Sequence, residues 1–432
     1  MGTRYKYPGG FYVNPPTIFE QLEQEGLHIP EHQRYFPYRA VFDFECFLNK
    51  SAASSPTDKL TWEAKHIPVS VSVCSNVPDY QAPRCFVTEG DSQSLVDKMM
   101  IYLTEISQRS SQLLRENFQP ILDQIEGQIQ ALTPQDGMSN EEDAGKKLRV
   151  HLKGLIQRLE NHIKEMPVLG FNSGKYDINV IKPYIYRYLQ KHDKICFMVK
   201  RNNNHMCIKT TNLKFLDVSN FLAPGFSYAQ FINAYECSLQ KGFFPYEWLD
   251  SPDKLNTTQL PQREAFYSSL KNSDISMDDY RYCQQIWQQH GMRTMRDFLV
   301  WYNNLDVEPF IEALEKLTDF YKERHIDTFK DGISVPGLTL KYLFKTNPEA
   351  DFVLFDEKNK DLHQCFKDNL VGGPSIVFHR YHEGGKIRIR GGKMCQKVVG
   401  YDANALYLWA ISQDMPTGIY YHRTAETGFK RE

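Results

Sequence analysis

The chain has 432 residues, 41% hydrophobic and 13% aromatic, the composition of a folded protein of two or three domains and not of a disordered one. A net charge of −2 excludes a globally basic nucleic-acid binder, so a surface of that kind must be local. Nine cysteines without a CxxC pair exclude a disulfide framework and a zinc site of that spacing, and no apolar run reaches the ~18 residues of a membrane helix.

The start, MGTRYKYPGG, has no apolar signal core, and Lys6 stands where myristoylation favours Ser or Thr. The protein is expected to be intracellular, nuclear in a eukaryotic host, with no membrane partner. Residues 1–36, rich in Pro, Gly and aromatics, read as an arm. Strands are predicted at 39–47, 66–77 and 84–89, with the Ser/Pro loop NKSAASSPTDK between the first two. Apolar spacing predicts a helix from 92 to about 132 and, after TPQDGMSNEEDAG, a second to about 165, together an inserted helical hairpin. MPVLGFNSGKYDINVIKPYI reads as strand, turn and helix, with Asp177 near the helix start. Strands follow at 195–200, 206–210 and 213–218, an irregular region at 220–276, and helices at 277–289 and 306–325. SIVFHRYHEGGKIRIRGG has a hairpin pattern with Gly384-Gly385 at the turn, and KVVGYDANALYLWAI reads as a strand carrying Asp402 and then a helix. The succession implies a mixed α/β sheet.

The strand AVFDFECFL sets Asp43 and Glu45 two apart, so both carboxylates point to one side of a sheet whose other positions are apolar. Like charges there repel, and burying either alone costs several kcal/mol or more. A divalent cation converts that cost into affinity. A lone DxE is weak, since the pattern occurs twice, at Asp43–Glu45 and Asp306–Glu308, and solvated acids on an edge strand would ordinarily account for it. The flanking Val41, Phe42, Phe44, Cys46 and Phe47 make the first one central. FNSGKYD adds Asp177, and WYNNLDVEPF adds Asp306 one helical turn after Tyr302. Four carboxylates suffice for two Mg²⁺ or Mn²⁺ ions about 3.5–4 Å apart.

These motifs, in this order, resemble the Exo I, Exo II and Exo III motifs of the 3′–5′ proofreading exonuclease in B-family DNA polymerases. Asp43 and Glu45 match Exo I, Asn172 with Tyr176-Asp177 matches Exo II, and Tyr302 with Asp306 matches Exo III. The chain is most similar to the protein-primed branch, of the Polinton (Maverick) transposon type. NLKFL, with Asn212 and Leu213, resembles the (S/T)-L-x₂-h ligand of single-stranded DNA, Asn212 replacing Ser or Thr. Lys241 in KGFF matches the K-x₂-h lysine that assists catalysis. LVGG, with Gly372 and Gly373, resembles the Y-x-G-G motif, Leu370 replacing its Tyr. YDANALYLWAI resembles polymerase motif A, which makes Asp402 a palm metal ligand and Tyr407 the residue against the incoming nucleotide's sugar.

The resemblance implies a ribonuclease H-like exonuclease domain at 37–335 with the helical hairpin inserted at about 92–165. A connector with a basic hairpin follows at 336–400, and the start of a B-family palm at 401–432. It implies two Mg²⁺ or Mn²⁺ ions in the exonuclease site. The implied partners are single-stranded and primer–template DNA, a terminal protein, and dNTP in a complete polymerase. No Asp-Thr-Asp occurs in the sequence, so this chain alone is expected not to extend a primer. Residues 175–214 carry seven Lys and two Arg against two Asp, interleaved with Tyr176, Tyr184, Tyr186, Tyr188 and Phe197, which suits single-stranded DNA. Lys386, Arg388 and Arg390 alternate onto one face of the late hairpin as a second phosphate contact. The alternative reading is a catalytically inactive, transposon-derived remnant that binds DNA or a protein.

Overall fold

A computed structural model of the chain describes residues 6–49, 64–132, 143–237, 242–370, 372, 376, 380–401, 405–415 and 417–418. It has two compact units, Pro16–Leu343 and Met1–Pro15 with Phe344–Glu432.

The larger unit opens with helix α1 (Ile18–Gln24), started by a capping box between Thr17 and Glu20. Phe19 and Leu22 of α1, with Leu27, Ile29 and Phe36 after it, join the first core cluster, so residues 16–36 pack as part of this unit. Its sheet has seven strands: β1 (Ala40–Asn49), β2 (Lys65–Ser75), β3 (Arg84–Val87), β4 (Met166–Gly170), β5 (Phe197–Arg201), β6 (Asn204–Lys209) and β7 (Leu213–Asp217). They lie in the order β3-β2-β1-β4-β7-β6-β5. β1, β4 and β7 run parallel, and the remaining neighbours are antiparallel, which is the mixed α/β sheet expected from the sequence.

Between β3 and β4 stand two long helices, α2 (Ser92–Ala131) and α3 (Asp143–Lys164), and α4 (Asp177–His192) follows β4. Asp91 caps α2 by accepting the Ser94 N–H at 3.0 Å. After the sheet come α5 (Tyr228–Ala234), α6 (Met277–Gln289), α7 (Met295–Leu305), α8 (Glu308–Lys322), α9 (Thr328–Asp331) and α10 (Val335–Thr346). The sequence placed one helix over 306–325. Instead α7 stops with Asp306 as its C-cap and α8 starts at Glu308, where Pro309 fits a first turn because its missing N–H is not needed there.

β1 shows why the fold holds a site. Phe42 and Phe44 enter the cluster made with α2, α3 and α4 on one face. On the other face Val41 enters a cluster with α5, α8 and α9, and Phe47 enters a third with α6 and α7. Asp43 and Glu45 fall between those two clusters, at their seam. Burying this many apolar side chains at roughly 25 cal/mol per Å² holds both faces against the charge repulsion at the seam. Among the described residues no helix is long and apolar enough to cross a membrane.

In the smaller unit, residues 8–12 pair with 352–356, and Tyr12 stacks on Phe344 at 3.9 Å between ring centroids. It also holds α11 (Lys360–Asn369) and α12 (Leu406–Ile411), neither with a buried residue. A turn at Glu383–Lys386, closed by a 3.2 Å backbone hydrogen bond, does contain Gly384-Gly385, but the chain reverses again at Ile389–Gly391. Arg390 sits in that second turn at φ 46° and Lys386 closes the first, so of the three only Arg388, bridged to Met394, keeps a strand pairing. The three cations therefore do not alternate along one strand face as the sequence suggested.

Candidate active site

Asp43, Glu45 and Asp306 each present a carboxylate oxygen within 4.8 Å of the other two. Glu45 and Asp306 are buried, 6% and 5% exposed, and Asp43 is half-buried. At that separation and an effective dielectric of about 20, each pair of charges repels by roughly 3 kcal/mol. Three hard oxygen donors fit Mg²⁺ or Mn²⁺ by both charge and ligand type.

The neighbouring strand explains how they are held. Ser72 is the register partner of Asp43, and Ser70 that of Glu45. Both serines are fully buried, and each turns its hydroxyl to α7: Ser70 donates to Asn303 Oδ1 at 2.9 Å and Ser72 to Asn304 Oδ1 at 2.8 Å. Asn303 then donates from Nδ2 to the Asp43 carbonyl at 3.2 Å and to Asp43 Oδ2 at 3.3 Å. The asparagine pair inside WYNNLD thus bolts α7 to β1 and β2 and fixes where Asp306 begins. Tyr228 of α5 adds a hydrogen bond to the Asp306 carbonyl at 2.9 Å. The signal for these was present in the sequence as Ser at period two in VSVSV and two Asn between Tyr302 and Asp306.

Tyr302 is 2% exposed, packed on Phe244, and its phenol oxygen lies 2.7 Å from that of Tyr246. Tyr246 is the donor to Tyr302 and also has Glu45 Oε1 within reach at 3.2 Å, so its one proton serves one of the two acceptors at a time. Burial, and then the Asp306 and Glu45 charges, push the Tyr302 phenol well above its ordinary pKa. Burial and Glu45 do the same to Tyr246. Both phenols therefore stay protonated donors. No periodicity marks Tyr246, which arrives from an irregular loop. Lys241 lies outside the described residues, but its neighbour Gly242 is pressed on α7, where a Cβ would come 2.7 Å from Trp301.

Asp177 stands outside the group of three. It is the first residue of α4, 3% exposed, and its carboxylate accepts the Phe44 N–H. That N–H is available because β4 pairs with β1 only at Ala40 and Val41. Burial, and then the Asp217 charge, push the Asp177 carboxyl up to about 7. Asp217, unremarked in the sequence, is 1% exposed and accepts the Gly174 and Ser219 N–H groups at 3.1 and 2.9 Å. Gly174 is confined there, since a Cβ would come 2.4 Å from both Asn204 Oδ1 and the His205 carbonyl. Gly174→Ala should accordingly lower stability by about 1–3 kcal/mol, read as a lower urea midpoint; an unchanged midpoint would show that this loop yields.

Asn172 is exposed at φ 56°, a left-handed conformation Asn tolerates, and its N–H meets Ser219 Oγ at 3.0 Å. The Tyr176 hydroxyl lies 2.5 Å from His66 Nδ1 and against Cys46, whose thiol burial pushes up to about 12. Asn212 is half-buried, its carbonyl taken by Met166 N–H and the Ser107 hydroxyl. Leu213 is 2% exposed in the first core cluster, so its side chain supports the strand and is not open to a ligand. The basic run is similarly divided: Lys214 is buried with its ammonium on the Phe329, Lys330 and Gly332 carbonyls, and Tyr188 is buried too. In the smaller unit Gly372 is exposed, Arg388 donates to the Gly392 carbonyl at 3.1 Å, Lys386 pairs with Glu383, and Tyr407 on α12 is 84% exposed. Gly373 and Asp402 lie outside the described residues.

No curated protein and no solved structure matches the chain. Residues 160–431 match the family model described as DNA polymerase type B, organellar and viral, a span holding Asp177, Tyr302 and Asp306 and beginning after Asp43 and Glu45. That span is more than half of the sequence, and the chain belongs to the organellar and viral type B DNA polymerases.

Proposed function

We propose that residues 37–335 of this DNA polymerase chain form a metal-dependent 3′–5′ exonuclease of the ribonuclease H-like class, acting on single-stranded DNA ends as a proofreading activity. DNA is the substrate class of the family, and its chemistry uses divalent ions. The observation that carries the reading is the convergence of Asp43, Glu45 and Asp306, with Tyr302 one helical turn from Asp306. Support also comes from a central β1 flanked by antiparallel β2 on one side and parallel β4 on the other.

Asp43, Glu45 and Asp306 would hold one ion, and Asp177, at the start of α4, would hold a second beside Asp43. When bound, such ions lower the pKa of water and offset charge on the phosphodiester. Tyr302, kept neutral and oriented by Tyr246, would position the attacking water, and Lys241 would assist. Asn172, Tyr176 and Asn212 would line the path of the strand. Within the polymerase half, 336–400 would connect to a palm region at 401–432, where Asp402 would take a metal and Tyr407 the sugar of a dNTP. Gly372 and Gly373, with Lys386, Arg388 and Arg390, would meet primer–template DNA. A terminal protein would supply the priming hydroxyl. The Polinton-type origin belongs to the same proposal.

The test is degradation of a 5′-labelled single-stranded oligonucleotide. The expected result is a ladder shortened from the 3′ end, formed with Mg²⁺ or Mn²⁺ and absent in EDTA. Undiminished activity in excess EDTA would rule the mechanism out. Tyr302→Phe and Tyr246→Phe should each slow the reaction about threefold to tenfold, the worth of one hydrogen bond. Their combination should slow it little further, because the two phenols act as one unit.

A further inference from the structure

Between residues 175 and 201 the chain carries five Lys and two Arg against two Asp, in a protein whose net charge is −2. Neither acid offsets them: Asp177 is buried, and the Asp193 carboxylate is occupied by the Lys194 and Thr211 N–H groups at 2.7 and 3.3 Å. Lys182, Lys191, Lys194, Lys200 and Arg201 make no ion pair with an acid among the described residues, whereas nearby Lys164 and Lys209 are paired with Glu160 and Glu165. The rest of the chain carries the surplus of acids.

The geometry collects these cations at one edge. Among the described residues β5 is the last strand of the sheet, with β6 on one side and no strand on the other. Phe197 is 51% exposed and Met198 44% exposed on it. α4 lies against this edge through Tyr186, whose hydroxyl is 3.4 Å from Met198 Sδ. Lys200 of β5 and Lys182 of α4 both act on His205, which burial, first, and then these charges hold below its ordinary pKa. The edge is also fixed to the active-site loop. Asn179 Nδ2 donates to the Lys175 and Asn203 carbonyls, 2.8 Å each, and the His205 N–H donates to the Gly174 carbonyl at 2.9 Å.

We infer that the α4–β5 edge is a second binding surface for single-stranded nucleic acid, with Lys182, Lys200 and Arg201 on phosphates and Phe197, which alternation turns to the sheet face opposite Met198 and α4, against a base where the strand rounds the edge. A polyanion with flat rings matches both features of the surface, uncompensated cations and exposed aromatic area. A protein strand added to the β5 edge would use the backbone there and leave the cations without a counterpart. The inference rests on the nuclease reading only for the direction in which the strand leaves the Asp177 loop.

Binding is therefore measured with catalysis off, as fluorescence anisotropy of a labelled oligo-dT in EDTA, using the full chain with Asp43→Ala and Glu45→Ala. Adding Lys182→Glu, Lys200→Glu and Arg201→Glu should weaken binding about tenfold or more. It should also reduce the slope of log K against log salt by roughly 2, about 0.7 for each phosphate no longer neutralised. A control with the same charge change, Lys146→Glu, Lys153→Glu and Lys271→Glu, all exposed, should stay within about twofold. Phe197→Ala should weaken binding while leaving the salt slope unchanged, because stacking releases no counterion. Circular dichroism melts show that each variant is folded. Equal losses in the two triple variants, an unchanged affinity in the edge variant, or no binding by the parent would overturn the inference.

Discussion

Replacing Asp43 and Glu45 together by alanine is expected to lower metal-dependent nuclease activity by about 10³-fold or more while the fold survives. The size follows from the several kcal/mol of charge stabilisation that a divalent ion contributes to phosphodiester cleavage, at about 1.4 kcal/mol per factor of ten. The survival follows from where the two acids sit. They lie at the seam between two apolar clusters, and the walls of that seam, Val41 and Phe47, are untouched by the change. Removing two carboxylates from a group of three also relieves repulsion that the metal-free protein must bear. Activity measured beside a circular dichroism melt in EDTA separates the effects. A variant that is folded and as active as the parent would show that the chemistry lies elsewhere.

A second large effect concerns stability and pH. The Asp177 carboxyl is pushed up to about 7 by burial, with Asp217 adding to it. A carboxyl whose folded pKa lies above its unfolded value favours the protonated fold. Its contribution is full below about pH 4 and is lost as the pH rises through about 7. A raise of that size is worth on the order of 4 kcal/mol. Asp177→Asn, of nearly the same shape and neutral throughout, should remove the dependence. In EDTA the variant should match the parent near pH 4 and exceed it by a few kcal/mol near pH 8, read from urea unfolding across that range. Parallel stability curves for the two proteins would contradict this. The same imbalance would favour the ion proposed beside Asp177, because a cation restores the charged carboxylate that burial disfavours.

Most strands and long helices were legible because their signals are local. Period two in AVFDFECFL and VSVSV, and helical spacing in 92–131 and 277–289, leave little choice of element. The acids of β1 could be placed on one face from that period alone. The junction at Asp306 was misplaced, since the apolar pattern runs on through it, although Pro309 marked the new start. What could not be read were residues brought in by tertiary packing. Tyr246 comes from a loop with no repeat and meets Glu45 across 201 positions of sequence. Asp217 ends a strand as many acids do, and only the folded loop shows its carboxylate gathering two N–H groups. For Lys214 and Leu213 the fold adds what the motif could not show. Their side chains were counted for DNA by motif and composition, and the fold commits them to a helix end and to the core.

The central claim is that Asp43, Glu45 and Asp306 hold a divalent ion, and anomalous diffraction from crystals grown with Mn²⁺ and a short oligonucleotide tests it most directly. The account predicts a manganese peak with carboxylate oxygens of all three residues at about 2.0–2.3 Å, and a second peak about 3.5–4 Å away toward Asp177. Manganese bound only elsewhere, with the three carboxylates still grouped and vacant, would contradict it.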